Sequence, residues 1–370
     1  MKRGSFGSRL GFILAASGSA VGLGNIWKFP FEVSNGGGAA FLIMYLFFCF
    51  ILCFPVIVSE IAIGRKTKKN AIGAFNKLNH RKWNFIGKMG VLCGVLILSF
   101  YTVVAGWVLG YVIEMVNGNF DISNDFGAYV NDIENVFLYS ILFMFFTALI
   151  VSKGIEKGIE KAAKILMPSL IGIILVLIIY ALTLPNSIDG IIFYLVPDFS
   201  QINLNIAGNA LGQAFFSLSL GMGMLITYGS YVDDKNNIVN SAALITLADV
   251  GIAFLSGLII FPFVFSSGIE TQGGAGLIFE VFPKIFENLG NTTGIIVGYH
   301  FRRNKITLNI VQGYLFFHSV YNISLIKLNY IKICVLMISF IITINDSYFT
   351  NTIHELIYNT ESPMTLKKKL

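Results

Sequence analysis

Residues 18–25 read GSAVGLGN and place Gly18, Gly22 and Gly24 inside a mostly apolar run that covers 10–34. Each glycine disfavours a helix by about 1 kcal/mol relative to alanine. Three within seven residues therefore predict a break in mid-run. A second stretch repeats the pattern: FSLSLGMG at 216–223 sets Ser217, Ser219, Gly221 and Gly223 near the middle of the run 207–231. In a bilayer, unwound backbone leaves N–H and C=O groups without helical partners. That is tolerated only where the segment is buried in protein or lines a cavity. Freed carbonyls can ligate a cation, and the N-terminus of a half-helix can hold a carboxylate. For one such segment alone, close helix packing through small residues is the competing reading. Two of them, in the first and sixth runs, suggest a pair of five-helix repeats.

The rest of the chain supports a membrane setting. Of 370 residues, 55% are apolar and 12% are charged, against about a quarter charged in a soluble domain. Mean hydropathy is +0.74. These values exclude a soluble enzyme, a disordered chain and a nucleic-acid binder. A hydrocarbon core of about 30 Å needs roughly 20 helical residues to cross it. Runs of that order lie at 10–34, 39–64, 90–116, 136–152, 165–184, 207–231 and 238–265, which predicts seven spans. The first has no small-residue cleavage site after MKRGSFGSRL and reads as a retained span rather than a signal peptide.

The formal charge of +6 is concentrated in clusters between the runs. Lys2, Arg3 and Arg9 precede the first. The 65–88 loop is rich in Lys and Arg, and 153–164 carries Lys153, Lys157, Lys161 and Lys164. In contrast, 117–135 and 185–206 contain neither Lys nor Arg. Basic loops face the cytoplasm, so the expected protein is multi-pass in the plasma (inner) membrane with a cytoplasmic N-terminus. The repeat KGIEKGIEK at 153–161 reads as a solvated cytoplasmic helix or turn, with a regulatory role as the minor alternative. Cys49, Cys53, Cys93 and Cys334 all fall in apolar segments, where thiols pack as small hydrophobes.

Asp249 is the sharpest single signal. It lies eleven residues past Ile238, and Ala20 lies ten past Leu10, so both fall roughly 15 Å deep at 1.5 Å per residue, near the midplane. A carboxylate at that depth costs about 2.5–3.5 kcal/mol on insertion scales and marks a cation ligand or proton-relay group. An aspartate hydrogen-bonded to a neighbouring helix is the plainer alternative. Glu60 lies less deep, near Arg65 at the end of the second run, where a structural role is equally open. Tyr101 lies well inside the third run, where a tyrosine usually packs in the core with its hydroxyl satisfied. The sequence offers no nucleophile–base constellation, metal-ligand cluster or phosphate loop, so no enzyme is expected.

The run RLGFILAASGSAVGLGNIWKFPFEVSNGGGAAF (9–41) resembles the first span and outer loop of the neurotransmitter:sodium symporters. SEIAIGR (59–65), FYTVVAGW (100–107), GIEKAAKILMP (158–168), GQAFFSLSLGMGMLITYGSY (212–231) and LSGLIIFP (255–262) extend the likeness, collinear over about residues 5–290. The closest likeness is to the bacterial branch that carries hydrophobic or aromatic amino acids. The resemblance implies an all-α integral membrane protein with a leucine-transporter-like five-helix inverted repeat. Its implied activity is symport of such an α-amino acid with sodium by alternating access. Implied partners are the amino acid, sodium ions and the lipid bilayer, with no nucleic acid.

By the same resemblance, a first sodium site would use the Ala20 carbonyl, Asn25, Ser217 and Asp249. A second would use the carbonyls of Gly18 and Val21, with further ligands from an eighth span. Most relatives carry an amide at the position of Asp249. A fixed carboxylate there supplies negative charge, so chloride should be dispensable. The substrate carboxylate would meet the first sodium, the amides of Leu23 and Gly24, and the Tyr101 hydroxyl. Its ammonium would meet carbonyls of Ala20, Phe216 and Ser217 and the Ser219 hydroxyl, with Ile97, Phe216 and Met222 around the side chain. Monoamine carriers have an aspartate where this chain has Gly22, so its absence implies a substrate with its own carboxylate. Lys28 matches the outer-gate cation and Arg3 the inner-gate arginine.

The likeness stops near 290–300, so the second repeat is expected to be incomplete. Residues 1–300 form the expected transporter core and 301–370 a divergent tail. Of 37 glycines, 36 precede residue 300, and the tail contains no alanine. It holds one short apolar run, 331–344. A frameshift or truncated gene is the expected cause, and the alternative function is a truncated, non-transporting membrane remnant of the family.

Overall fold

The computed structural model describes residues 5–22, 24–116, 126–267 and Phe279. Among these residues every regular element is helical. The tail at 301–370, with its run 331–344, lies outside them. Among the described residues five continuous helical segments are long and apolar enough to cross a membrane: Ala39–Thr67, Arg81–Glu114, Ile133–Ser152, Ile155–Ala181 and Ile238–Ser266. They answer to the second, third, fourth, fifth and seventh runs.

The first run is two helices. Here α1 (Arg9–Ala20) ends where Val21 turns extended. A π-helical turn, Gly24–Lys28, then leads into α2 (Phe29–Asn35). The two halves are bent by 54°, and together they make a sixth candidate span. The sixth run is broken as well. It divides into α11 (Leu204–Ser217) and α12 (Met224–Gly229), of 14 and 6 residues. Neither half can span alone, so the described residues hold five continuous candidate spans and two broken runs. The cause is local: Ser219, Gly221 and Gly223 have φ of 54°, 78° and 70°, a left-handed conformation that no α-helix can accommodate. At Gly223 a Cβ would also lie 2.4 Å from that of Ala71, so the turn needs glycine for both conformation and space.

The second run is α3 (Ala39–Phe48), a π-helical turn Cys49–Cys53 and α4 (Phe54–Thr67). After the short α5 (Ala71–Lys77) comes the third run, α6 (Asn84–Val116). The helices α7 (Phe126–Asn131) and α8 (Ile133–Ser152) follow. A π-helical turn, Ile155–Glu160, opens α9 (Lys161–Ala181), and α10 (Ser187–Leu195) lies between it and α11. The seventh run is α13 (Ile238–Ser267).

Helix α13 is central. It contributes Ile252, Ile259 and Phe263 to a core built with α6 and α9. It contributes Ile245, Val250 and Phe261 to a second core built with α1, α3 and α11. Of its most apolar window 61% is buried, against 22% for α8. Asp249 lies on the buried side of α13 at 0% exposure, whereas Val239, Leu244 and Leu247 of the same helix are exposed.

Two expectations are corrected here, those for Cys93 and Glu160. Glu60, whose role the sequence left open, lies against the second break rather than against Arg65. Its Oε1 accepts from the Gly221 N–H at 2.8 Å, whereas Arg65 Nη1 donates to the Asn236 carbonyl at 2.6 Å. Beside it, Lys68 Nζ reaches the Val232 carbonyl at 2.7 Å and Asp234 Oδ1 at 2.9 Å. The hydrogen bond and charge of Lys68 hold the Asp234 carboxyl below the usual aspartate range. Cys49 and Cys53 are buried as expected, but Cys93 is exposed on the outer face of α6. That face also carries Leu92 and Leu96, apolar residues turned away from the protein. Glu160, expected in solvent, is 2% exposed.

Candidate functional site

The two breaks face α13 at its middle. Asn25, in the turn after the first break, is fully buried, as is Asp249, and Ser217 closes α11 with 1% exposure. Asn25 Nδ2 donates to Asp249 Oδ1 at 2.8 Å and lies 3.1 Å from Ser217 Oγ. Ser217 Oγ donates to Asp249 Oδ2 at 2.7 Å. Both oxygens of the carboxylate are thus engaged by polar groups from the two broken spans. The Gly22 N–H donates to Asn25 Oδ1 at 2.8 Å, and Ser256 Oγ donates to the Asn25 carbonyl at 2.6 Å. These bonds fix Asn25 at the start of the π-helical turn that follows the break.

Beside this cluster lies a cavity lined by residues of three runs. Ala20, Gly22 and Gly24 come from the first break, and Gly94, Ile97 and Tyr101 from α6. Phe216, Ser217, Ser219 and Met222 come from the second break. One wall is polar, with unwound backbone, a serine hydroxyl and a tyrosine hydroxyl. The other is apolar, with Ile97, Phe216 and Met222. Such a cavity suits a small molecule with one charged end and one apolar end. At its margin Lys28 Nζ lies 4.7 Å from the centre of the Phe216 ring and 3.8 Å from Glu32. The ammonium faces the ring as in a cation–π contact.

Of the expected site residues, Ala20, Gly24, Ile97, Tyr101, Phe216, Ser217, Ser219 and Met222 line this cavity, and Asn25 and Asp249 adjoin it through Ser217. Gly18 and Val21 sit at the end of α1, where Val21 N–H still bonds the Ser17 carbonyl at 2.8 Å. Leu23 and Arg3 lie outside the described residues, as do the later ligands expected for a second sodium.

Three polar residues of the site escape a reading of the sequence. Tyr45 Oη donates to Ser217 Oγ at 3.3 Å, and Gln213 Nε2 donates to the Gly24 carbonyl at 2.8 Å. Ser256 is the third. The available signal was a lone hydroxyl or amide in an apolar run, which by itself does not say what it faces.

A carboxylate, an amide, a hydroxyl and freed carbonyls around two broken helices define a class, and the comparisons agree with it. The profile of the Sodium:neurotransmitter symporter family matches residues 3–132 and 122–310, and the chain belongs to that family. A sodium-dependent transporter of Bacillus subtilis (strain 168), YhdH, is 39% identical over 299 residues, covering 79% of this chain and 66% of its own. A sodium-dependent transporter of Haemophilus influenzae is 35% identical over 305 residues, covering 78% and 67%. The human sodium- and chloride-dependent GABA transporter 2 is 26% identical over 338 residues, covering 77% and 56%. The chain therefore spans about two thirds or less of the length of these relatives. The crystal structure of MhsT in complex with L-phenylalanine superposes with a TM-score of 0.83 at 38% identity, covering 93% of this chain and 80% of that one. The fold is all-α and leucine-transporter-like, and the described residues carry the second five-helix repeat through its second helix.

Proposed function

We propose that this chain carries the core of a sodium-coupled symporter for a hydrophobic or aromatic α-amino acid, working by alternating access across the plasma membrane with its N-terminus in the cytoplasm. The single observation that carries the reading is Asp249, fully buried and ringed by Asn25 and Ser217 from the two broken spans. Sodium loses its water on entering such a site, and oxygen atoms of adequate total charge must replace it. The Ala20 carbonyl, the Asn25 amide and the Ser217 hydroxyl are neutral. Asp249 supplies a charge that stays when substrate leaves. The substrate carboxylate would then add to the cation's shell from the cavity, beside Tyr101 and the backbone at Leu23 and Gly24. The substrate ammonium would meet the carbonyls of Ala20, Phe216 and Ser217. The carbonyls of Gly18 and Val21 are the proposed start of a second sodium site. Lys28 is the proposed outer gate and Arg3 the proposed inner one.

The choice of substrate is supported by the apolar wall of Ile97, Phe216 and Met222 and by the L-phenylalanine bound to MhsT. Chloride is not required in this reading, because the wall already holds a negative charge. The test is equilibrium binding of labelled L-phenylalanine to the full chain in membranes, with sodium or potassium and with chloride or gluconate. Binding that needs sodium and ignores the anion is expected. Binding indifferent to sodium would overturn the reading. Sodium-dependent binding without uptake into vesicles would instead favour the non-transporting remnant.

A further inference from the structure

The repeat KGIEKGIEK gives its two glutamates opposite fates. Glu156 is exposed, while Glu160 is 2% exposed and turned toward the start of α1. Glu160 Oε2 accepts from the Gly7 N–H at 2.7 Å, and Oε1 accepts from Ser8 Oγ at 2.8 Å. Lys164 Nζ closes the set on Oε1 at 2.6 Å. Ser8 is also the cap of α1, accepting from the Gly11 N–H at 3.0 Å. Gly11 leaves room for the carboxylate, since a Cβ there would lie 2.0 Å from Glu160 Oε1. A buried carboxylate thus sits on the positive end of α1, where charge-assisted bonds to N–H groups are strong.

At its other end α1 is joined to the chain only through the break beginning at Val21 and the 54° bend. It is a rigid rod of 12 residues, about 18 Å long at 1.5 Å per residue, hinged at one end and bonded at the other. We infer that Glu160 is a positioning residue, a latch that holds the N-terminal half of the first span against the fifth span and must release for the cavity to open toward the N-terminal face. Its consequence for transport rests on the alternating-access reading above. The contact itself can be tested without sodium or substrate.

The test uses the full chain in membrane vesicles, with its four native cysteines replaced and one cysteine introduced at Ala16, which is fully buried. The measurement is its rate of labelling by an impermeant maleimide from the N-terminal face. A parallel chain carries the cysteine at Val104, also fully buried but in the other core. Loss of two charge-assisted bonds in Glu160→Gln should speed labelling at position 16 by about tenfold or more, with position 104 unchanged. Gly11→Ala keeps every polar partner but displaces the carboxylate, and Ser8→Ala removes one donor. Both should shift labelling in the same direction, and they carry the test if Glu160→Gln does not accumulate. Unchanged labelling at position 16 would overturn the latch. Equal acceleration at positions 16 and 104 would also overturn it, because it would show general loosening. A chain that binds no amino acid can still pass or fail this test, so the two readings fail separately.

Discussion

Ser217 donates to the Asp249 carboxylate at 2.7 Å, joining the end of a broken helix to the middle of the most buried one. Asn25 holds the other carboxylate oxygen at 2.8 Å and lies 3.1 Å from Ser217. The arrangement ties the two unwound segments to one fixed charge, and replacing that charge is the most direct probe of the site.

Asp249→Asn keeps the shape and removes the charge. Sodium affinity should fall by about ten- to hundredfold, the equivalent of one charge-assisted interaction of roughly 1.5–3 kcal/mol. Alternatively, binding should become dependent on added chloride. The measurement is sodium titration of amino-acid binding, with and without chloride. Unchanged sodium affinity with no chloride effect would make Asp249 a structural residue.

Ser219 holds φ at 54° without being glycine, a conformation that costs a side chain about 1–2 kcal/mol. Ser219→Gly should relieve part of that strain and raise resistance to thermal denaturation. The same variant loses a hydroxyl that lines the cavity, so substrate affinity should fall. Opposite movement of the two readouts is the expected signature. A parallel loss of both would show that the Ser219 hydroxyl supports the fold.

The substrate's own carboxylate is the third target. Gly22 lines the cavity and brings no charge to it. L-Phenylalanine should therefore compete for binding far better than phenethylamine, its decarboxylated counterpart, in the full chain or in a version extended with the later spans of a relative. Preference for the amine would contradict the assignment.

Topology can be read with single cysteines. A cysteine replacing Asp125 should be labelled from the extracellular side, and one in the basic 65–88 loop from the cytoplasmic side. Cytoplasmic labelling at position 125 would reverse the orientation derived from the charged loops.

Much of the fold was legible because its signals are local. The glycines of 18–24 and 221–223 weaken a helix wherever they occur, and the breaks fall at Gly22 and at 221–223, with Gly18 still inside α1. Less legible was where each half ends. Hydropathy adds α11 and α12 into one run, and the left-handed residues Ser219, Gly221 and Gly223 set the point of division. Cys93 and Glu160 were misplaced for a related reason. Hydropathy gives the depth of a residue but not the face of the helix on which it lies.

By itself the sequence determined that this is a helical membrane protein, that its first and sixth runs are interrupted, and that a carboxylate lies deep in the seventh. Those properties follow from composition and short-range backbone preference. Only the tertiary structure decided that Asn25 and Ser217, 192 positions apart, meet Asp249. It likewise decided that Tyr45 and Gln213 join the site and that Glu160 faces α1 across 153 positions. Buried polar groups must find partners, but the rule does not say which. The choice is made by the packing of distant helices around α13, and no local pattern encodes that.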